Sequence, residues 1–367
     1  MVRRFSVLVL CVLMLLCFTL TACRDTDVTT TDSTDSTATA QTTETTEQTA
    51  AATEETAKAT ETTAKPTEAT AKATEATTET PKKGTATPLL YKASDQKGNV
   101  VWLFGSVHIG REDYYPLPAY VLDAFDGADS LAVEADMIAF EKDTNLQTQV
   151  MSCLQYRDGT TTQDHLPKDL YKSAVAVLRS LNVYSPTMEL YCPIFWSELI
   201  DGYTSARAGA NGDLGVDQHL LERAYAAKKE VLEIESVQFQ YQMLADFSDE
   251  LQALLLESSL YKCQNPIMVR AELETLLDLW ASGDEDAFTA YLADEEGDMT
   301  EEEALLNKEY NDAMVVNRNR SMADYAENAL RSGKEVFICV GAAHVVGDGA
   351  VADLLSQRGY TVERVTG

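Results

Sequence analysis

Between residues 24 and 87 the chain carries a single branched aliphatic side chain, Val28, and no aromatic residue. Threonine, alanine, glutamate and lysine dominate the segment, so it cannot bury enough apolar surface to offset the entropy of ordering. Residues 57–79, AKATETTAKPTEATAKATEATTE, form an imperfect repeat without a hydrophobic face. That pattern describes a spacer and not a solenoid. The many threonines, with Pro66 and Pro81, argue against a stable helical rod. Whether the spacer is glycosylated stays open. A folded core must therefore come from residues 88–367, which suffice for one large domain or for a core with a helical insertion.

The other end of the spacer is a leader. Arg3 and Arg4 precede an apolar run over residues 5–20, the charged and hydrophobic regions of a secretory signal. A spanning helix needs about 20 apolar residues, so this run is short for that purpose. It ends in Leu20-Thr21-Ala22-Cys23, which resembles the bacterial lipobox, whose cysteine is acylated and becomes the new first residue. The expected organisation is a signal peptide over 1–22, a lipidated Cys23 opening a disordered Thr-rich stalk over 23–87, and a domain over 88–367. Lipid at Cys23 would hold the protein on the extracytoplasmic face of the cell membrane. An ordinary signal peptide or an uncleaved anchor is the competing reading.

Formal charge is −30, and loss of Arg3 and Arg4 with the leader makes it more negative still. Such a surface repels phosphate backbones, which excludes a nucleic-acid partner. Of seven cysteines, Cys11 and Cys17 leave with the leader. Cys153, Cys192, Cys263 and Cys339 remain in the domain, with no CxxC or zinc-ribbon spacing. No disulfide framework is expected, and Cys339, inside the apolar run 336–340, reads as a buried thiol.

Strands are expected over 88–93 and 100–104, joined by the hairpin-like Ser94-Asp95-Gln96-Lys97-Gly98-Asn99. A short helix near 117–125 and a strand over 130–134 follow. Apolar residues recur at helical spacing over 169–181, 187–206 and 216–228, and again over 238–262, 266–281 and 301–331. A brief strand at 230–235 interrupts them, and the chain closes as strand 335–340, helix 348–358 and strand 360–365. The fold class is α/β (α+β): a central mixed sheet built from both ends of the domain, with a large helical insertion. Trp102, Trp196 and Trp280 fit core positions.

Two of the four histidines share one context. An apolar strand, Gly105-Ser106-Val107 and then His108 match an apolar strand, Gly341-Ala342-Ala343 and then His344. Glycine would let the backbone turn as each strand ends, bringing the imidazole over the carboxyl edge of the sheet, where α/β sites gather. Glu134 and Glu235 close two further strands. One Gly-x-x-His alone reads as a loop histidine; its duplication beside strand-ending carboxylates changes the weighing. Two imidazoles and a carboxylate suffice for a divalent metal with an open position for water, with a second carboxylate as base. Of the remaining histidines, His165 reads as a loop or capping residue and His219 as a helix-face residue. Asp217 reads as a helix N-terminal charge.

With these motifs the chain resembles the TraB/GumN/Tiki family over roughly residues 89–366. Gly215-Val216-Asp217, followed by Leu220, Leu221 and Ala224, is similar to that family's Gly-Val-Asp helix. Glu235-Ser236 with Gln238, and Arg318-Asn319-Arg320-Ser321-Met322-Ala323, resemble two further family segments. The resemblance implies a metal-dependent hydrolase of peptidase type that uses manganese or cobalt; zinc or iron would also suit the ligands. It carries the metal onto His108, His344 and Glu134, and catalysis onto Glu134 and Arg318, to which the strand-ending position adds Glu235. Arg318 would hold a substrate carboxylate or an oxyanion, against a reading as a plain helix ion pair. Glu235 would be a base, against a reading as a strand-end residue. The expected partner is a peptide or protein substrate. Two alternatives stand beside hydrolysis: a non-catalytic module that binds and sequesters peptides, and a surface lipoprotein with a purely structural role. No P-loop, HExxH, GxSxG or dinucleotide glycine pattern competes.

Overall fold

A computed structural model describes residues 84, 86–293 and 299–367. The expected leader, stalk and lipidated Cys23 lie outside the described residues, Gly84, Ala86 and Thr87 apart. Ala86 is buried, and Thr87 donates its backbone N–H to the Ala281 carbonyl at 2.7 Å.

The chain begins with a hairpin, β1 (Leu90–Ser94) and β2 (Val100–Ser106), turned by Asp95, whose carboxylate accepts the N–H groups of Lys97 and Asn99. α1 (Ala119–Gly127), β3 (Ser130–Val133), α2 (Met137–Lys142) and α3 (Thr144–Cys153) follow. The helical region continues with α4 (Lys168–Ser180), α5 (Pro193–Ala208) and α6 (Val216–Ala227), and β4 (Glu230–Glu233) then returns to the sheet. Next come α7 (Val237–Ala245), α8 (Asp249–Gln264), α9 (Pro266–Ser282), α10 (Glu285–Ala293) and α11 (Glu301–Asn311). A π-helical turn, Asp312–Val316, joins α11 to α12 (Asn317–Ser332). β5 (Val336–Gly341), α13 (Ala342–Val345), α14 (Val351–Gln357) and β6 (Thr361–Val365) end the chain.

The six strands form one mixed sheet in the order β4-β3-β5-β2-β1-β6. β4, β3, β5 and β2 run parallel; β1 is antiparallel to both its neighbours, β2 and β6, so β6 at the edge runs in the direction of the parallel strands. This is the expected architecture, with both termini of the domain supplying the sheet and helices inserted between. β3 and β5 are buried along almost their whole length, as strands covered on both faces must be, which is why they read as apolar runs without alternation. In the helical region α5 is the central element, with thirteen buried residues and its main neighbour in α8. Trp196 and Trp280 are buried, whereas Trp102 is half-buried, its indole N–H donating to Glu335.

Register fixes what the parallel strands present at their carboxyl ends. Ser106 stands opposite Gly341, and Val133 opposite both Cys339 and Glu233. The residues that follow, His108, His344, Glu134 and Glu235, therefore leave the sheet at one edge.

The glycines at this edge serve close approach. Neither Gly105 nor Gly341 has positive φ; Gly105 lies within β2, so the turn expected there is absent, whereas Gly341 ends β5 and leads directly into α13. A Cβ on Gly105 would stand 2.9 Å from the Cα of Ala342, which is why the short helix α13 can lie against β2. Gly215 has the same role on the other side: its Cβ would meet the His108 carbonyl oxygen at 2.6 Å. Val216 donates its N–H to the Val107 carbonyl at 2.8 Å, so the Gly-Val-Asp segment clamps the loop that carries His108.

Candidate functional site

Glu134 and Glu235 come from adjacent strand ends, tied by the Glu235 N–H donating to the Glu134 carbonyl at 2.9 Å. Between their carboxylates lies Arg318, only 6 % exposed. Its Nη2 donates to Glu134 Oε2 at 2.6 Å and to Glu235 Oε2 at 2.9 Å, and its Nε donates to Glu235 Oε1 at 2.9 Å. Nη1 donates to the Met314 carbonyl, inside the π-helical turn that immediately precedes α12. Gln240 Nε2 completes the network, donating to Glu235 at 2.9 Å and to Glu134 at 3.2 Å. The second oxygen of Glu134 takes the backbone N–H of Gly341 at 2.7 Å. Burial alone would raise the Glu134 pKa, but the guanidinium outweighs it and holds the carboxyl well below its usual range.

The two imidazoles have opposite characters. His108 Nδ1 lies 2.5 Å from Asp217 Oδ2. Burial opposes its charge, yet Asp217, seconded by Glu134, raises its pKa to about 9. His108 is thus an imidazolium at neutral pH, with Nε2–H as a further donor. His344 is buried and its pKa falls to about 3, first through burial and then through the Arg318 charge. It is neutral. Its Nδ1 donates to Asn319 Oδ1 at 2.7 Å, and Asn319 Nδ2 in turn donates to the Gly349 carbonyl at 3.0 Å. That chain fixes the tautomer and leaves Nε2 as the lone-pair nitrogen.

Over these groups opens a cleft of about 880 Å³, counting solvent at its mouth. His108, Glu134, Asp217, Gln240 and Arg318 make its polar floor, and Met137, Met243, Met314, Leu221 and Leu244 its walls. His344 and Glu235 do not line it; they support the floor from behind.

The arrangement overturns the metal reading. Among the described residues no group of three or more His, Cys, Asp or Glu side chains is placed to hold a metal ion. The physical reason lies at the carboxylate that the two imidazoles would share, whose lone pairs are already engaged. Both oxygens of Glu134 accept strong hydrogen bonds, a guanidinium stands where an ion would bind, and His108 is a cation turned to Asp217. His108, His344 and Glu134 therefore do not form the expected ligand set, and manganese, cobalt, zinc and iron find no coordination shell here. The metal-dependent hydrolase, its peptidase mechanism and its divalent cofactor fall with that set. Nor is any helix among the described residues long and apolar enough to cross a membrane.

Three residues, two in the floor and one behind it, have roles that their sequence context does not announce. Asp217 stands in the first turn of α6, as expected, but its carboxylate is committed to His108. Asn319, inside the Arg318–Ala323 segment, holds His344 and the Gly349 carbonyl. The glutamine that reaches the carboxylates is Gln240; α7 begins at Val237, and the buried face of that helix falls on Gln240 and Tyr241. His165 is indeed a loop residue, bonded to Asp249, and His219 packs its ring on Tyr115.

A family model described as the TraB/PrgY/gumN family matches residues 89–364. The chain is also 24 % identical over 254 residues to the Escherichia coli (strain K12) protein YbaP, described as uncharacterized, spanning 69 % of this chain and 86 % of that one. The Shigella flexneri protein YbaP matches to the same extent. No solved structure is matched.

Proposed function

Given that the chain belongs to the TraB/PrgY/gumN family, we propose that its folded part binds and sequesters a peptide or an extended protein segment without cutting it. The observation that carries this reading is the floor of the cleft, where Glu134, Gln240 and Arg318 are consumed by one another and by Glu235 behind them, beneath a methionine-rich wall. Unbranched, polarisable methionines accommodate varied apolar side chains, as promiscuous binding surfaces require. His108 supplies the charged donor for a carbonyl or carboxylate of the bound backbone, with Asp217 holding its ring. Arg318, Glu134, Glu235 and His344 keep the floor rigid and act as positioning residues.

The test is fluorescence anisotropy with a labelled, uncharged apolar hexapeptide library. Parent protein is expected to bind a subset of peptides. His108→Ala should weaken binding roughly ten- to hundredfold, the value of one hydrogen bond to a charged group. Equal affinity of parent and variant for every peptide would sink this placement of the site.

We also place the protein on the extracytoplasmic face of a membrane, held by lipid on Cys23 and spaced from it by the stalk over 23–87. Cells fed labelled palmitate should incorporate it into the parent and not into Cys23→Ala; equal labelling of both would exclude that anchor.

A further inference from the structure

A second depression lies beside the cleft, between α7 and the junction of α11 with the π-helical turn. It is an open groove of about 1090 Å³, counting solvent, whose apolar lining comes from Phe239, Met243, Phe247 and Ala313. Met243 also belongs to the wall of the cleft, so the two depressions share a side chain. Phe239 is 50 % exposed, a large apolar surface with nothing over it.

Charge gives the groove a sign. Asp246 and Glu309 line it, and no lysine or arginine does. Glu309 is pinned in place by the backbone N–H and the hydroxyl of Ser248, both at 2.7 Å, and Asp246 by the side-chain amide of Gln242 at 2.8 Å. Neutral donors hold both carboxylates without cancelling their charge. The floor of the cleft differs, because there Arg318 answers the carboxylates directly.

Resting on the peptide-binding reading above, we infer that the bound segment continues out of the cleft past Met243 into this groove, and that the part lying there is cationic with an apolar or aromatic anchor. The partner is thus a basic extended peptide, its apolar stretch over the methionines and its lysine or arginine side chains facing Asp246 and Glu309. An extended chain suits the path because it presents alternate side chains to the wall and to the rim. The long stems of lysine and arginine can cover Phe239 while their heads reach the acids.

The probes are the tightest apolar hexapeptide from the anisotropy screen and two extended versions, one carrying three lysines and one three glutamates, each added at either end. One end of the lysine version should bind roughly five- to tenfold more tightly than the glutamate version, as expected of a few half-exposed ion pairs. Replacing Phe239→Ser together with Asp246→Asn should abolish that preference while leaving affinity for the bare hexapeptide unchanged. Glu363→Gln, on β6 at the far side of the sheet, should leave the preference intact, which separates a local groove from general attraction to an acidic protein. A preference that is missing, or that survives the groove substitutions, overturns the inference while binding of the bare hexapeptide upholds the cleft. Absence of binding by every probe overturns both.

Discussion

Arg318→Met is expected to lower the unfolding free energy by about 3–5 kcal/mol at neutral pH, the range for removing one partner of a buried ion cluster. The arginine bridges two carboxylates that are 12 % and 4 % exposed, so its loss leaves buried negative charge with no guanidinium in contact, answered at hydrogen-bond distance by Gln240 and the Gly341 N–H. The pH dependence has a definite sign. In the parent, the folded pKa of Glu134 is depressed below its ordinary 4.5, so its stabilising share is present above that pH and lost as pH falls. In the variant burial is no longer outweighed at Glu134, so that carboxyl can protonate in acid. The deficit should therefore be largest near neutrality and shrink toward about pH 4. Arg318→Lys should recover less than half of it, because an ammonium cannot reproduce the fork that reaches Glu235 through Nε and Nη2 while Nη2 also reaches Glu134. Urea unfolding at the two pH values checks all three statements; a loss below about 1 kcal/mol at neutrality would mean that the bridge is not a structural centre.

The second large effect lies away from the cleft, where α5 packs on α8. Glu198, Asp201 and Lys262 are all buried there, and neither Glu198 Oε2 nor Lys262 Nζ has a hydrogen-bond partner. Ser259 donates to Asp201 at 2.8 Å, and the Ser258 hydroxyl is also without a partner. Burial, then the Asp201 charge, pushes the Glu198 pKa up to about 8, with Lys262 offsetting only part of the rise. A carboxyl raised in the folded state favours folding most below its unfolded value near 4.5, and that advantage is lost as pH climbs through about 8. Parent stability should consequently fall by roughly 3–4 kcal/mol across this window on account of Glu198 alone. Glu198→Gln, which keeps the shape and removes the titration, should flatten the dependence and be the more stable protein at about pH 8. Thermal melts from about pH 4.5 to 8.5 read this directly. Parallel profiles for parent and variant would show that Glu198 is solvated or paired in a way the packing does not reveal.

Why these groups were hidden in the sequence, while the fold was not, has a physical answer. β2 and β5 could be read because a buried parallel strand is an uninterrupted apolar run, and the shared Gly-x-x-His placed their ends at one edge. Glu134 and Glu235 followed from the same logic, since each closes a short strand, and α12 was visible through its apolar spacing and Gly333. α2 and α3 were not anticipated, their apolar residues being sparse within Met137–Lys142 and Thr144–Cys153. The residues of the site were therefore legible, but their state was not. A histidine or glutamate shows its type in a sequence; it does not show whether its lone pairs are engaged. Arg318 reaches both carboxylates from a helix preceded by a π-helical turn, which no periodicity announces, and once it does so the carboxylates cease to be free ligands. Gln240 carries no signal of its own in the sequence, because the start of α7 decides which face is buried. Asp217 was read through its helix and not through its partner, since His108 lies more than one hundred residues earlier.

Mass spectrometry of peptides recovered from the purified domain, after long incubation with added manganese, cobalt, zinc or iron, bears most directly on the absence of a metal-dependent cutting centre. Captured peptides returned at full length under every condition are the expected result. New peptide termini that appear with one of these metals, and vanish in His344→Ala, would contradict it.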